Sequence, residues 1–260
     1  MTSLTIQAIP AFKDNYVWLL HNGQKAIVVD PGDATPVMAN LSSQSLELTE
    51  IWVTHHHPDH VGGVAQLLKA FAGAAVRAPS SSPLPHVTHF MHEGSQFALF
   101  GDTLVNVWHI PGHTPDHISF LFDMPSGPAL FCGDTLFGGG CGRLFGGTAE
   151  QLFTSLNRIA RLPDTTHIYC AHEYTESNLR FALHIEPDNV ELQKRVQIVH
   201  AMRANNESTI PALLAEELKT NPFLRTWNAS VSHAILRHYN KKEAQPSELF
   251  ADLRAWKDVF

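Results

Sequence analysis

Thr54-His55-His56-His57-Pro58-Asp59-His60 follows an apolar run of β character, Ile51-Trp52-Val53, and precedes Val61-Gly62-Gly63 and the amphipathic run Ala65-Gln66-Leu67-Leu68. That context reads as a strand, a loop and the start of a helix. A loop at the C-terminal end of a strand is where α/β proteins place ligands and chemistry. The pattern H-x-H-x-D-H offers imidazole and carboxylate, both of which zinc and similar cations accept. The imidazoles must stay neutral to coordinate, so the crowding makes sense with a cation between them.

Outward from this stretch the same alternation continues. Leu4 to Ile9, Tyr16 to Leu20 and Ala26 to Val29 read as strands, with hairpin chemistry at His21-Asn22-Gly23. Thr35 to Ser42 and Val64 to Phe71 read as helices. Strands are expected from Val76, over Gly94 to Phe100, Thr103 to His109, Ile118 to Phe122 and Ala129 to Phe131, and over His167 to Cys170. Gly101-Asp102 separates two of them, and a glycine-rich run spans Gly138 to Gly147. Ala149 to Leu162 reads as a helix. Beyond Tyr174 the character turns helical and charged, with helices expected over Asn189 to Ala204, Thr209 to Leu218 and Ser247 to Val259.

The chain has 260 residues and a 44% hydrophobic fraction, enough for one large domain or two modest ones. The formal net charge of -7 gives no general attraction to nucleic acid or anionic membranes. Three cysteines, Cys132, Cys141 and Cys170, are too few and too scattered for a disulfide framework. Cys132 and Cys170 read as buried packing residues. The N-terminus lacks a basic region and a long apolar core, so no signal peptide is expected, and no apolar run is long enough to span a bilayer. The expectation is a soluble, cytoplasmic monomer acting on a small molecule.

The candidate ligands are His55, His57, Asp59, His60, His113, Asp134 and His172, all at strand ends or in adjoining loops. Their order and spacing resemble the metallo-β-lactamase superfamily, over about Ile6 to Tyr174. The resemblance implies an α/β fold, an αββα sandwich over residues 1–172 followed by a smaller all-helical domain over 173–260. It implies that His55, His57 and His113 hold one divalent cation, that Asp59, His60 and His172 hold the other, and that Asp134 bridges both. Two such cations, roughly 3.5 Å apart, make a bridging hydroxide available near neutral pH. Asp59 and Asp134 are thereby tied to catalysis. Zinc is the expected metal, with iron or manganese as alternatives.

Thr54 to His60, Pro111-Gly112-His113-Thr114, Gly133 to Phe137, Gly140-Cys141-Gly142-Arg143, Ala171 to Thr175 and Asn221-Pro222-Phe223-Leu224-Arg225 resemble the glyoxalase II (hydroxyacylglutathione hydrolase) family. That resemblance implies hydrolysis of S-(R)-lactoylglutathione to glutathione and D-lactate, the second step of methylglyoxal removal. An acidic chain needs placed cations for the carboxylates of glutathione. Arg143 in the glycine-rich run and Arg225 after the proline turn are the expected clamps. Tyr174 is the expected hydroxyl donor. Two departures are visible: Phe145 stands where relatives often have tyrosine, and Thr226-Trp227-Asn228 follows Arg225 where some have a further basic residue.

Other polar residues stay open. His56 is expected to point away from the cations and either to support a ligand from behind or to serve structure. Asp116 or His117 either supports a ligand ring or caps a strand, and Asp30 at its strand end can hold the metal loop. A β-lactamase is disfavoured by the missing export signal and the appended helical region. A nuclease is disfavoured by the charge. A non-catalytic metal module is disfavoured because a closed structural site needs only about four ligands.

Overall fold

The computed structural model describes residues 4–101 and 103–260. Asp102, expected between two strands, lies outside the described residues. The chain divides into two compact units. One takes in the described residues up to His109, with Asp116–Met124 and Ala129–Gly133. The other takes in Ile110–Pro115, Pro125–Pro128 and Asp134–Phe260.

The first unit is built from two sheets. Strands β1 (Thr5–Ala11), β2 (Asn15–His21), β3 (Lys25–Val29), β4 (Glu47–Trp52), β5 (Ala75–Pro79) and β6 (His89–Met91) lie in that order. β1 to β3 are antiparallel, and from β3 onward each pairing is parallel. The connections carry α1 (Ala34–Ser43), α2 (Pro58–Val61) and α3 (Val64–Ala70). The second sheet is ordered β10, β9, β8, β7, formed by β7 (Gln96–Leu99), β8 (Thr103–His109), β9 (Ile118–Met124) and β10 (Gly127–Gly133).

The near-continuous apolar runs of β2 to β4 are explained by burial on both faces. Val17, Leu19, Val28, Ile51 and Val53 pack with Val37, Leu41, Val64 and Leu67 of the helices. The alternate residues meet the other sheet. Trp18 packs edge-on against Phe131, at 6.3 Å between ring centroids, and Trp52 contacts Phe97 at 5.2 Å and Phe120 at 4.8 Å. Such aromatic pairs add to the burial itself.

The second unit contains a small hairpin of β11 (Leu136–Phe137) and β12 (Gly140–Cys141), and a two-stranded pair of β13 (His167–Cys170) and β14 (Ala212–Leu213). Its helices are α4 (Ala149–Ile159), α5 (Thr175–Ile185), α6 (Val190–Ala204), α7 (Leu214–Thr220), α8 (Ala229–His238) and α9 (Pro246–Val259), with a 3-10 turn at Pro222–Leu224. Leu179, Ala182, Leu192 and Val199 join α5 to α6. Phe223 touches Phe181 and Phe250, so the 3-10 turn sits between α5 and α9.

Most expected elements are present. One expectation fails: Thr209 to Leu218 is not a continuous helix. Pro211 lacks a backbone N–H and constrains its predecessor away from helical geometry. The chain therefore runs through β14 and turns helical only at Leu214. Strand β6, the hairpin β11–β12 and helices α5 and α8 were not legible as separate elements. No described helix is long and apolar enough to cross a membrane.

Candidate functional site

In the first unit the metal-ligand stretch is a loop only as far as His57. Pro58, with its preset φ, opens the single turn α2, which carries Asp59 and His60. Gly32 is what lets this turn approach: a Cβ there would stand 1.9 Å from the Asp59 carbonyl oxygen. Asn15 Nδ2 donates to Asp59 Oδ2 at 3.0 Å.

Asp30, buried and at φ 53, accepts from Thr54 N at 2.8 Å and from Thr54 Oγ1 at 2.7 Å, and its Oδ2 lies 3.1 Å from His60 Nδ1. Because the Thr54 hydroxyl donates to Asp30, its oxygen accepts from His55 Nδ1 at 3.1 Å. That tautomer leaves His55 Nε2 as a lone pair, 3.0 Å from His57 Nδ1. His117 is buried and stacks on His55, centroids 4.7 Å apart. It thus packs on the ring of one candidate ligand, immediately before β9. His56 turns to Asp116, with Nδ1 3.3 Å from Oδ2.

In the second unit His113 Nδ1 donates to the Arg143 carbonyl at 2.7 Å, which again presents Nε2 for coordination. Asp134 stands between two imidazoles. Its Oδ2 lies 3.5 Å from His113 Nε2 and its Oδ1 3.4 Å from His172 Nε2. His172 is stacked on Tyr174 at 4.7 Å, the planes within 6°. Gly142 allows this packing, since a Cβ there would stand 2.1 Å from the Asp134 carbonyl oxygen.

The donor set fits cations. Two ligands bound tetrahedrally at about 2.1 Å stand ~3.4 Å apart. The separations at Asp134, and the 3.6 Å between His60 Nε2 and Asp59 Oδ2, match that spacing. A carboxylate with one oxygen toward each of two imidazoles is arranged as a bridging ligand would be.

The second unit also holds a cavity of about 430 Å³, lined by His113, Asp134, Arg143, Tyr174, Arg254 and Lys257 among others. Arg143 and Tyr174 line this cavity. Arg225 does not. Its guanidinium donates to both carboxylate oxygens of buried Glu186, at 3.1 and 2.9 Å, and to the Leu218 carbonyl at 3.3 Å, beside a different cavity. This pairing speaks against its expected role as a clamp, because a cation already paired in both fork positions is less open to a ligand.

Two other cations line the cavity, Arg254 and Lys257, three residues apart on α9 and so on one helix face; Arg254 is itself paired with Asp258 at 3.0 Å and donates to the Cys141 carbonyl. That i, i+3 spacing near the C-terminus was the available signal. Burial holds the Lys257 ammonium below its usual range, and the guanidinium groups of Arg254, Arg143 and Arg180 lower it further, against Asp258. An anion in the cavity would relieve that repulsion. Phe145 is half-exposed and packs edge-on against His113 at 5.3 Å, with no hydroxyl to offer.

Cys141, also in the cavity lining, is pushed by burial from 9.0 up to about 11, with Arg254 opposing. A raised acid pKa adds stability below pH 9 that is lost as pH climbs through 11. Native protein is therefore expected to resist iodoacetamide at Cys141 at pH 8 and to lose thermal stability between pH 9 and 11. Labelling as fast as in urea would contradict this.

A family model described as the metallo-beta-lactamase superfamily matches residues 12–172, and one described as the hydroxyacylglutathione hydrolase C-terminus matches residues 173–260. Curated relatives named hydroxyacylglutathione hydrolase from Aliivibrio salmonicida and Photobacterium profundum are each 49% identical over 260 residues, covering 99% of this chain and 100% of the relative. Among solved structures, ETHE1 from Myxococcus xanthus matches with a TM-score of 0.64 at 23% identity, over 98% of this chain and 99% of that one.

Proposed function

The chain belongs to the hydroxyacylglutathione hydrolases of the metallo-beta-lactamase superfamily, and from that premise we propose that it hydrolyses S-(2-hydroxyacyl)glutathione thioesters, chiefly S-(R)-lactoylglutathione, to glutathione and D-lactate. The observation that carries the reading is Asp134, set between His113 and His172, in the lining of a cavity that also presents Arg143, Arg254 and Lys257.

In this reading His55, His57 and His113 hold one divalent cation, Asp59, His60 and His172 hold the other, and Asp134 serves both. The donor spacings within each unit support that split. Zinc is the preferred metal, with iron or manganese accepted by the same donors. When bound, such cations polarise a carbonyl and lower the pKa of a water molecule enough to attack it.

The chain's own residues do the rest. Lys257 and Arg143 receive glutathione's carboxylates, and Arg254, which donates to the Cys141 carbonyl at 3.0 Å, braces the wall. Tyr174, fixed by its stack on His172, offers a hydroxyl to the peptide. The thiolate leaving group is a weak base, so no strong general acid is needed. Residues 1–172 act as the catalytic domain and 173–260 as the helical substrate-binding domain, supported by two family models that meet between 172 and 173. The reading includes a monomeric cytoplasmic enzyme with a small-molecule partner, and the net charge of -7 supports the absence of nucleic acid and anionic membrane from its partners.

The test is zinc-loaded protein mixed with S-(R)-lactoylglutathione, with thioester absorbance followed over time. Steady loss is expected. A metal-replete sample that spares the thioester but opens a lactam would overturn the reading. Lys257→Met is expected to raise KM about tenfold with kcat nearly unchanged, since a hydrogen bond to a charged group contributes ~1.5 kcal/mol and is made equally before and during reaction. A parent-like KM would remove Lys257 from the contact set.

A further inference from the structure

The run from Phe137 to Arg143 leads from the neighbourhood of Asp134 to the carbonyl that holds His113. It contains four glycines and so little to fix its own path. Side chains from the helices hold it instead. Asn221 Nδ2 donates to the carbonyls of Phe137 at 3.3 Å and Gly140 at 3.0 Å. Asn178 Nδ2 donates to Gly138 O at 3.1 Å, and Arg254 Nη1 to Cys141 O. The Gly139 N–H points the other way and donates to Glu217 Oε2 at 2.9 Å.

Glu217 is fully buried on α7. Its Oε1 accepts from Arg195 Nη2, and its Oε2 also accepts from Asn221 Nδ2 at 2.9 Å. Arg195, on α6 and 2% exposed, donates to Thr220 Oγ1 at 2.7 Å. An ion pair taken out of water is weak evidence for stability, because an apolar pair of similar volume is often as good. What an apolar pair lacks is an acceptor aimed at one backbone N–H.

We propose that Glu217 is a positioning residue for His113: the Arg195–Glu217 pair anchors Gly139, the anchored run sets the Arg143 carbonyl, and that carbonyl holds His113 Nδ1–H so that Nε2 faces Asp134. The proposal deepens the hydrolase reading and rests on it for the role of His113 as a cation ligand. It does not make Glu217 catalytic, since the carboxylate is spent on Arg195, Asn221 and Gly139.

Two double variants separate the acceptor from the charge. R195M/E217Q and R195M/E217L both abolish the ion pair, but only the first leaves an oxygen for Gly139. Zinc affinity is read by competition with a chromophoric chelator, and the His113 Nδ1–H proton by NMR of the metal-free proteins. R195M/E217L is expected to bind one of its two zinc ions roughly 10- to 100-fold more weakly, as supporting contacts to metal ligands usually do. Its kcat falls more than its KM changes, and its His113 proton resonance shifts or broadens. R195M/E217Q restores most of the affinity and the resonance.

Parent-like zinc binding with an unmoved His113 proton in R195M/E217L overturns the proposal. Should that variant not fold, E217D keeps the charge pair but withdraws the acceptor by one methylene. The same losses are expected there, and their absence overturns the proposal. A parent that holds no zinc or spares the thioester defeats the hydrolase reading instead. The metal-free His113 resonance in E217D still decides whether Glu217 sets that ring.

Discussion

Replacing Asp134 with alanine is expected to strip the protein of tightly held cations and to slow thioester turnover on the order of 10³-fold, the equivalent of several kcal/mol of lost transition-state stabilisation. The carboxylate is 7% exposed and stands 3.4 to 3.5 Å from an imidazole nitrogen on either side. Alanine leaves those imidazoles with no shared anionic partner, so on the proposed bridging role both cations lose a ligand at once. Thermal stability of the metal-free protein should hold or rise, because a buried charge is removed. Asp134→Asn keeps the shape but not the charge and should fall between parent and alanine in metal content. The measurement is metal per chain after dialysis against chelator, alongside steady-state turnover. Two retained cations with full turnover would refute the bridging role.

Asp30→Ala is expected to damage both stability and metal binding, for separable reasons. Asp30 supplies the acceptor for Thr54 N–H and for the Thr54 hydroxyl, and faces His60 Nδ1. Without it a buried backbone N–H loses its partner, which costs ~1–3 kcal/mol. Alanine also tolerates φ 53 less well than aspartate. At roughly 2–4 °C per kcal/mol, Tm should fall by something near 5–10 °C. Cation affinity should drop about 10- to 100-fold as His55 and His60 lose the contacts that orient them. Asp30→Asn keeps an acceptor and accepts the left-handed backbone. It should recover most of the Tm and only part of the affinity. Parent-like Tm and affinity in Asp30→Ala would show that the loop holds itself.

The difference between Arg225 and Lys257 shows where sequence reading stops. Both are cations in a helical region whose neighbouring sequence does not fix what they face. Arg225 follows a proline turn that looks like a clamp, yet its partner is Glu186, 39 residues earlier. Lys257 lies in an ordinary amphipathic terminal helix, yet it lines the cavity with Arg143 and Arg254. The edge strand β6 and the hairpin β11–β12 were illegible for a related reason. They span only 3, 2 and 2 residues, too short for a period to show.

The amino-acid sequence alone marked the candidate donors from His55 to His60 and the strand and turn that present them. Imidazole and carboxylate at fixed spacing after an apolar strand is a local statement, and the two-faced burial of β2 to β4 follows from their unbroken apolar runs. Tertiary structure alone decided which ring nitrogen is held by the surrounding scaffold, through Thr54 at His55 and the Arg143 carbonyl at His113. It also decided which cations face the cavity and which are spent on carboxylates. The reason is that a charge or a hydrogen bond takes its value from whatever lies within a few ångströms, and chain spacing does not fix that neighbour.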